Sequence, residues 1–393
     1  MSGQGLETIW NSNREFFTGK SIQQVLSMCG DGELRENNTT SSELRRFLAL
    51  VPSPMLISFA GNCLEKSFNN CGFVLQDIVN EIGTRLGFLV ESGRYRGTSG
   101  AVGFDGIWRA KDDHQMLIEV KTTDAYRVNL GVIAGYRRQL IEDGKLLAGG
   151  SSILLVVGRQ DTGDLEAQIR GSRHAWDTRL ISIDALSRLM SIKESLETPG
   201  VTAKIVEVLK PREYTRVDPI IDLIFDTSRE IEGEPTDHER DTPASALTDV
   251  DSTTDVAQLR ASAADIAGHH LQCTLIQQSR SIFGSSDREL FVACFASKRY
   301  VRGGGFWYWF TVRQSHLEYL REAKKSYFCF ACGSTDRIVL VPSDLFVGFL
   351  KDMRSKENDR WQVEIDWKNS KVLLNQPRQD LTQYVLAKRT PSS

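Results

Sequence analysis

Long apolar runs are missing from this sequence of 393 residues, and none approaches the ~18 residues that a membrane-spanning helix needs. The first residues, MSGQGLETIWNSNREFF, have neither the basic start nor the apolar stretch of a signal peptide. These two absences predict a cytoplasmic protein with no membrane partner.

Cysteine is sparse and irregularly spaced. The seven cysteines are an odd number without a repeating interval, which argues against a disulfide framework and for reduced thiols. The one C-x-x-C pair, Cys329 and Cys332, has no second ligand pair nearby, so we expect structural cysteines and not a zinc site. A strand–GxxxxGK–helix pattern is also missing, and a P-loop is therefore not supported.

Net positive charge is missing from the chain as a whole, because the formal charge is −3. The charge is uneven, however: between Asp226 and Asp255 ten acidic residues face two arginines, a local charge of −8. Subtracting −8 from −3 leaves +5 on the remainder, a mild bias toward an anionic partner.

The same acidic stretch has few large apolar residues and two prolines, so it cannot bury enough surface to fold alone. It is predicted to be a flexible linker. The predicted organisation is an N-terminal domain with a helical extension at 1–225, the linker at 226–256 and a C-terminal domain at 257–393.

The pattern within the N-terminal part indicates an α/β fold. GFVLQDIVNEIGTRLG has one apolar helical stripe, and SSILLVVG is apolar enough for a strand buried on both faces. The order helix, strand, strand, helix, strand, helix predicts a central mixed sheet flanked by helices. The C-terminal part, with strands such as GFWYWFTVR and a helix in PSDLFVGFLKDM, is predicted to be a separate α+β domain.

The segment VGFDGIWRAKDDHQMLIEVKTT places charges at the ends of two apolar strands. If the strands form a hairpin that turns at AKDDH, Asp105 lies across from Glu119. Residues two apart on a strand share a face, so Lys121 lies beside Glu119 while Val120 faces the core. Two carboxylates and an ammonium group at one sheet edge suit Mg²⁺ or Mn²⁺, hard ions that one or two carboxylates can hold beside a phosphate.

This arrangement, an acid and an E-x-K motif at the ends of a strand pair behind an amphipathic helix, resembles the PD-(D/E)XK superfamily of restriction-endonuclease-like nucleases. The resemblance covers roughly residues 60 to 190, and it departs from the pattern in having Phe104 where proline is usual. It implies a restriction-endonuclease-like core with Asp105, Glu119 and Lys121 as catalytic residues. It also implies Asp105 and Glu119 as metal ligands, with Glu81, or next Asp77, as an additional ligand from the preceding helix.

Basic residues near this segment are candidates for contacts with a nucleic-acid backbone. The alternative for each one is a solvated arginine. In chain order they are Arg94, Arg96, Arg137, Arg138, Arg170, Arg173, Arg299 and Arg302.

The resulting hypothesis is a metal-dependent DNA endonuclease of the restriction or defence type, with a C-terminal domain that selects the target or senses a signal. Cutting both strands of DNA needs two active sites, so a homodimer is expected. Two alternatives stay open: an RNase or a nuclease for branched or single-stranded DNA with the same site, and a catalytically silent nucleic-acid-binding protein.

Overall fold

The computed structural model describes residues 5–95, 102–122, 128–158, 163–196, 201–211, 217, 220–221, 255–302, 305–353, 360–368 and 370–386. The chain divides into two compact units: the first comprises Met1–Leu196 and Gly200–Ile231, and the second Glu197–Pro199 and Glu232–Ser393. Most of the predicted acidic linker lies outside the described residues. The described chain resumes at Asp255, which caps a helix that begins at Val256.

The elements of the first unit are, in chain order, α1 (Leu6–Ser12), a 3₁₀ helix (Arg14–Phe17), α2 (Ile22–Leu26), α3 (Thr39–Leu50), α4 (Ser53–Glu65), α5 (Cys71–Leu86), β1 (Leu89–Ser92), β2 (Gly106–Arg109), β3 (Gln115–Lys121), α6 (Leu130–Glu142), β4 (Ser151–Val157), α7 (Gly163–Arg170), β5 (Thr178–Ser182), α8 (Ile183–Ser195) and α9 (Val201–Leu209).

The five strands of this unit form one mixed sheet in the order β1-β2-β3-β4-β5. The first three strands are antiparallel, and β3, β4 and β5 are parallel to one another. Helix α5 packs on the face that includes Met116 and Ile118, whereas α6 and α7 cover the face that includes Leu117. The predicted α/β architecture, a central mixed sheet flanked by helices, is confirmed.

The strand predicted to be buried on both faces is β4, and all of its residues are buried between these two layers. Helix α5 follows the predicted apolar stripe and ends at Gly87, whose φ of +102° favours glycine. Helix α6 begins where the Asn129 side chain accepts a hydrogen bond from the Val132 N–H, and Ser182 caps α8 in the same way. These local signals position the helices over the sheet.

Several elements were not predicted from the sequence pattern. Strand β1 is only four residues long, with half-exposed and exposed residues alternating, so its apolar signal is weak. Helix α7 is also short. Helix α3 ends at Leu50, and Pro52 and Pro54 lie at the start of α4, where a missing N–H group is tolerated.

The elements of the second unit are α10 (Val256–His270), β6 (Ile276–Gln277), β7 (Ile282–Gly284), β8 (Leu290–Ser297), β9 (Tyr300–Arg302), β10 (Gly305–Arg313), α11 (Gln314–Arg321), β11 (Lys325–Cys332), β12 (Ile338–Pro342), α12 (Ser343–Lys351), β13 (Arg360–Lys368), β14 (Lys371–Leu374), β15 (Gln379–Asp380) and a 3₁₀ helix (Thr382–Tyr384).

The second unit contains two five-stranded sheets that share one hydrophobic core. One sheet is antiparallel, in the order β15-β14-β13-β10-β9, and the other is β12-β11-β8-β7-β6, with β8 and β11 parallel. Tyr308 and Phe310 from the first sheet pack with Phe328 and Phe330 from the second. Helix α10 covers the opposite face of the second sheet through Ala263 and Ala267.

The aromatic run of β10 and the cysteine pair of β11 both lie in the interior of this unit. Trp307, Tyr308, Trp309 and Phe310 are all at most 7% exposed. Cys329 and Cys332 are buried on opposite faces of β11, so their thiols face different layers of the unit. No helix among the described residues is long and apolar enough to cross a membrane.

Two helical glycines provide a matched test of the packing in the first unit. A Cβ at Gly83 of α5 would lie 2.4 Å from a ring atom of Trp108, whereas a Cβ at Gly61 of α4 would meet nothing within 4 Å. We expect Gly83→Ala to lower the free energy of unfolding by roughly 2–3 kcal/mol through overpacking. Gly61→Ala should raise it by roughly 0.5–1 kcal/mol, because alanine favours the helix.

Urea unfolding of the two variants beside the parent protein measures this difference. Equal effects of the two substitutions would contradict the close approach of α5 to β2.

Candidate active site

The pairing of β2 with β3 brings the two predicted carboxylates together. The register pairs Gly106 with Ile118, and the Asp105 N–H donates to the Ile118 carbonyl at 3.2 Å, so Asp105 lies across from Glu119 as expected. Glu119 and Lys121 alternate with the core-facing residues of β3, and therefore share the face that α6 covers.

The Asp105 carboxylate is held in place and destabilised as an anion. Its Oδ2 accepts a hydrogen bond of 2.6 Å from the Val120 N–H. Burial and then the negative charge of Glu119 raise the pKa of Asp105 from 3.8 to about 7, although the Val120 N–H and Lys121 act in the opposite direction. The pair therefore favours a proton or a cation between its carboxylates.

Lys121 is bonded to the second carboxylate. Its Nζ donates to Glu119 Oε1 at 2.5 Å, and the side chains are 37% and 13% exposed respectively. The Lys121 ammonium group thus lies beside the Glu119 carboxylate and is partly exposed to solvent.

The Asp105 main chain is fixed independently of its side chain. Its carbonyl accepts hydrogen bonds from Gln76 Nε2 at 3.1 Å, Asn80 Nδ2 at 2.8 Å and the Gly93 N–H at 3.0 Å. Asn80 Oδ1 in turn accepts from Trp108 Nε1 at 3.0 Å. One helix, α5, therefore positions the start of β2 through two carboxamides one turn apart.

These two carboxamides were missed in the sequence. They lie within the predicted amphipathic helix. Both are in fact almost fully buried, at 3% for Gln76 and 4% for Asn80. A polar residue four positions before another on a buried helix is the signal that could have identified them.

The carboxylate pair suits the hard divalent ion that the resemblance implies. Asp105 Oδ1 and Glu119 Oε2 accept no hydrogen bond from the described residues, so each carboxylate keeps an oxygen for a ligand. Within the described part of the chain no three His, Cys, Asp or Glu side chains are grouped to hold a metal ion. A two-carboxylate site fits Mg²⁺, which retains waters and takes further ligands from a substrate phosphate.

The structure does not bring Glu81, the expected additional ligand, to this pair. Glu81 accepts a hydrogen bond of 2.8 Å from Arg85, which also bonds Ser53 and the carbonyls of Leu48 and Val51. Helix α5 packs on the face of the sheet opposite to Glu119 and Lys121. Glu81 thus belongs to a network that joins α5 to the N-terminal helices.

Asp77, the second choice for that ligand, is also engaged elsewhere. It is 3% exposed, pairs with Arg45 at 2.9 Å and accepts a hydrogen bond from the Tyr95 hydroxyl. Burial raises the pKa of Asp77 to about 6 despite these partners. Tyr95 is therefore an interior residue.

The candidate backbone-binding residues of the first unit separate into two groups. Arg94 is exposed, and its N–H donates to the Phe104 carbonyl at 3.1 Å, directly beside Asp105. Arg138 is exposed on α6. Arg96 lies outside the described residues.

The other group lies at the far end of the sheet. Arg137 bonds the Ser151 carbonyl at 2.7 Å, and Ser151 begins β4, at the opposite end of the strand from the partner of Lys121. Arg170 pairs with Glu166, and Arg173 lies in the loop that leads into the start of β5. These three positions therefore lie at the end of the sheet away from the carboxylate pair.

The two candidates in the second unit also differ. Arg299 is half-buried, and its guanidinium carbon lies 5.1 Å from the centre of the Phe306 ring. Arg302 ends β9, and its side chain lies outside the described part of the structure.

No family model, no curated protein and no solved structure matches the chain.

The raised pKa of Asp105 predicts a pH-dependent stability effect. In EDTA the folded protein ionises Asp105 less readily than the unfolded chain, so the free energy of unfolding falls as the pH rises from about 4 to 7. Asp105→Asn keeps an acceptor for Val120 without the charge. It should therefore be more stable than the parent above pH 7 by roughly 1–3 kcal/mol, and the gain should shrink toward pH 4.

Thermal unfolding across this pH range checks the prediction. Glu91→Gln, which removes a carboxylate paired with Arg109 in the same sheet, is the control and should show no such gain. A pH-independent difference for Asp105→Asn would contradict the raised pKa of Asp105.

The contacts of the Asp105 carbonyl predict a ranking of two substitutions. Asn80→Leu removes one donor and leaves the buried Trp108 N–H without an acceptor, so we expect a loss of roughly 2–4 kcal/mol of stability. Gln76→Leu removes only one of three donors and should cost roughly 1 kcal/mol. Chemical denaturation of both variants measures the ranking, and a reversed order would contradict the assigned hydrogen bonds.

Proposed function

We propose that the first unit is a metal-dependent nuclease that hydrolyses phosphodiester bonds in DNA. The observation that carries the proposal is the convergence of Asp105, Glu119 and Lys121 at one sheet edge, with Asp105 and Glu119 close enough to raise the pKa of Asp105. A structural ion pair needs only Glu119 and Lys121. A second, part-buried carboxylate beside them costs stability and is expected where a cation binds.

Asp105 and Glu119 would hold Mg²⁺ or Mn²⁺. When bound, such an ion polarises the phosphodiester and lowers the pKa of a water. The chain's own contribution is to fix the carboxylates: the Val120 N–H holds Asp105 Oδ2, and Lys121 holds Glu119 Oε1. Fixed carboxylates need little reorganisation when the charge on phosphate increases.

Lys121 would supply a positive charge next to the reacting phosphate. Its ammonium group is part-exposed, so a substrate oxygen or the attacking water can approach it. Arg94, exposed and next to the strand that carries Asp105, would neutralise a neighbouring phosphate. The second unit would then select the target or sense a signal, and a homodimer would cut both strands.

Metal binding can be tested without knowing the substrate. Adding Mg²⁺ to the parent protein should raise its melting temperature, because the ion binds the folded state and not the unfolded chain. Asp105→Asn and Glu119→Gln should lose this shift, whereas Glu91→Gln should keep it. Calorimetry should give the same order, and an equal Mg²⁺ shift in all four proteins would contradict the proposed ligands.

Cleavage tests the activity itself. Modified and unmodified plasmid DNA, single-stranded DNA and RNA are each incubated with Mg²⁺ or with EDTA. Asp105→Asn, Glu119→Gln and Lys121→Ala should each lower the cleavage rate by at least ~100-fold, because each removes charge stabilisation from the reaction. Glu91→Gln should cut at the parent rate.

The substrates also separate the alternatives. If only RNA or only single-stranded DNA is cleaved, the substrate is not duplex DNA, and the same active site acts on that other nucleic acid. If the protein binds Mg²⁺ and DNA but cleaves none of the tested substrates, it is better explained as a catalytically silent binding protein. Cleavage that survives in EDTA would overturn the metal-dependent mechanism.

A further inference from the structure

Two cysteines of the first unit meet where α4 is joined to α5. Cys63 lies in the last turn of α4, and Cys71 is the first residue of α5. The Cys71 Sγ donates to the Cys63 carbonyl at 3.0 Å, and the two thiols also hydrogen-bond to each other. All seven cysteines of the chain are free, so this contact joins two reduced side chains.

The two thiols differ in acidity. The hydrogen bond with the Cys63 thiol lowers the pKa of Cys71 to about 7, although burial acts in the opposite direction. The same hydrogen bond, together with burial, raises the pKa of Cys63. Cys71 also begins a helix whose first turn has no acidic residue, and the N–H groups of a first turn favour a thiolate. Cys71 is therefore the nucleophile of the pair, and Cys63 keeps its proton.

The connection that carries this pair lies at the protein surface. Cys71 is 8% exposed and Cys63 is 3% exposed. Their neighbours at positions 65–67, Asn69 and Gly72 are exposed. The Cys71 sulfur is thus separated from solvent by a short surface segment, which a small oxidant can approach more easily than a core position.

A second thiol pair, in the second unit, provides a contrast. Cys294 and Cys329 are cross-strand partners on β8 and β11, and their thiols also hydrogen-bond. Both residues are 0% exposed, and burial raises the pKa of Cys294 well above its usual range. Oxidation needs both a thiolate and access to it, so proximity alone does not make this core pair reactive.

We propose that Cys71 and Cys63 form a redox-active pair that hydrogen peroxide converts into a reversible disulfide. The Cys71 thiolate attacks one peroxide oxygen, the O–O bond breaks and hydroxide leaves, which gives a sulfenic acid at Cys71. The Cys63 thiol then attacks the Cys71 sulfur, and the sulfenic oxygen leaves as water with the Cys63 proton. The two thiols together lose two electrons, and one peroxide molecule is reduced.

The disulfide would fix the end of the helix that positions Asp105. Gln76 and Asn80 follow Cys71 on α5, and both donate to the Asp105 carbonyl. A covalent link between α4 and α5 restricts the unfolded chain, so oxidation should raise the melting temperature. The inference does not rest on the nuclease proposal, because it needs neither a metal ion nor catalysis.

Peptide mapping tests the link in the full-length protein. The reduced protein is treated with hydrogen peroxide in EDTA, the remaining thiols are alkylated, and the chain is digested with trypsin. Cleavage after Lys66 places Cys63 in the peptide 47–66 and Cys71 in the peptide 67–85, each as its only cysteine. We expect these two peptides to be joined, with a mass about 2 Da below the sum of the reduced peptides, and dithiothreitol to separate them. Non-reducing electrophoresis should show a monomer.

Two serine variants separate the roles of the pair. Cys63→Ser should stop at a sulfenic acid on Cys71, which dimedone traps, whereas Cys71→Ser should leave Cys63 unoxidised. Cys273→Ser is the matched control, because Cys273 is more exposed than either residue but burial raises its pKa. This control should form the disulfide like the parent protein. In the parent, Cys71 should be oxidised at least ~10-fold faster than Cys273, since a neutral thiol is a poor nucleophile.

Several outcomes would overturn the proposal, and the melting temperature of the reduced proteins confirms that each variant is folded. One is that peroxide oxidises Cys273 in the parent while Cys63 and Cys71 stay unlinked. Another is that Cys71 is converted to sulfinic acid without forming the disulfide. A link that appears only in a disulfide-bonded dimer, or one that forms equally between Cys294 and Cys329, would also contradict it.

Discussion

The register between β2 and β3 is the constraint on which the candidate site depends. Side chains on a strand alternate between faces, so a slip by one residue would turn Glu119 and Lys121 toward α5 and separate them from Asp105. The core opposes such a slip, because Met116 and Ile118 are buried against α5. The Asp105 carbonyl, with its bonds from Gln76, Asn80 and Gly93, adds a polar contact at the strand end. Core packing and site geometry are therefore specified by the same pairing.

The second carboxylate of the candidate site lowers the stability of the folded protein. A single carboxylate hydrogen-bonded to Lys121 would be an ordinary, partly exposed ion pair. Such a pair changes the free energy of unfolding little. Asp105 adds a second, half-buried negative charge, and its pKa rises to about 7 because burial and Glu119 outweigh its favourable contacts. The buried Asp77 differs, since Arg45 and Tyr95 bond both of its oxygens. Asp105 retains an oxygen without such a partner, which is why this carboxylate points to a ligand.

Much of the first unit was predictable because local and periodic signals agree there. The apolar stripe of α5, the apolar run of β4 and the turn at AKDDH each indicated one element, and together they gave the hairpin and the central sheet. Strand β1 was not predictable, because four residues at a half-exposed sheet edge leave too short a pattern. Pairings between distant segments were equally inaccessible: Arg45 with Asp77 and Arg85 with Ser53 each join residues 32 positions apart in the sequence.

Sequence spacing predicted the contacts among the charged residues of the first unit, but it did not predict that Arg299 and Arg337 of the second unit lie close together. Asp105, Glu119 and Lys121 lie on one hairpin, so counting residues about its turn is enough to bring them together. Arg299 and Arg337 are separated by three strands and a helix, and they meet only because β8 and β11 are parallel neighbours. Nothing in the spacing of Arg337 marks it as a partner for Arg299. A contact assembled by parallel pairing is visible only after the fold is known.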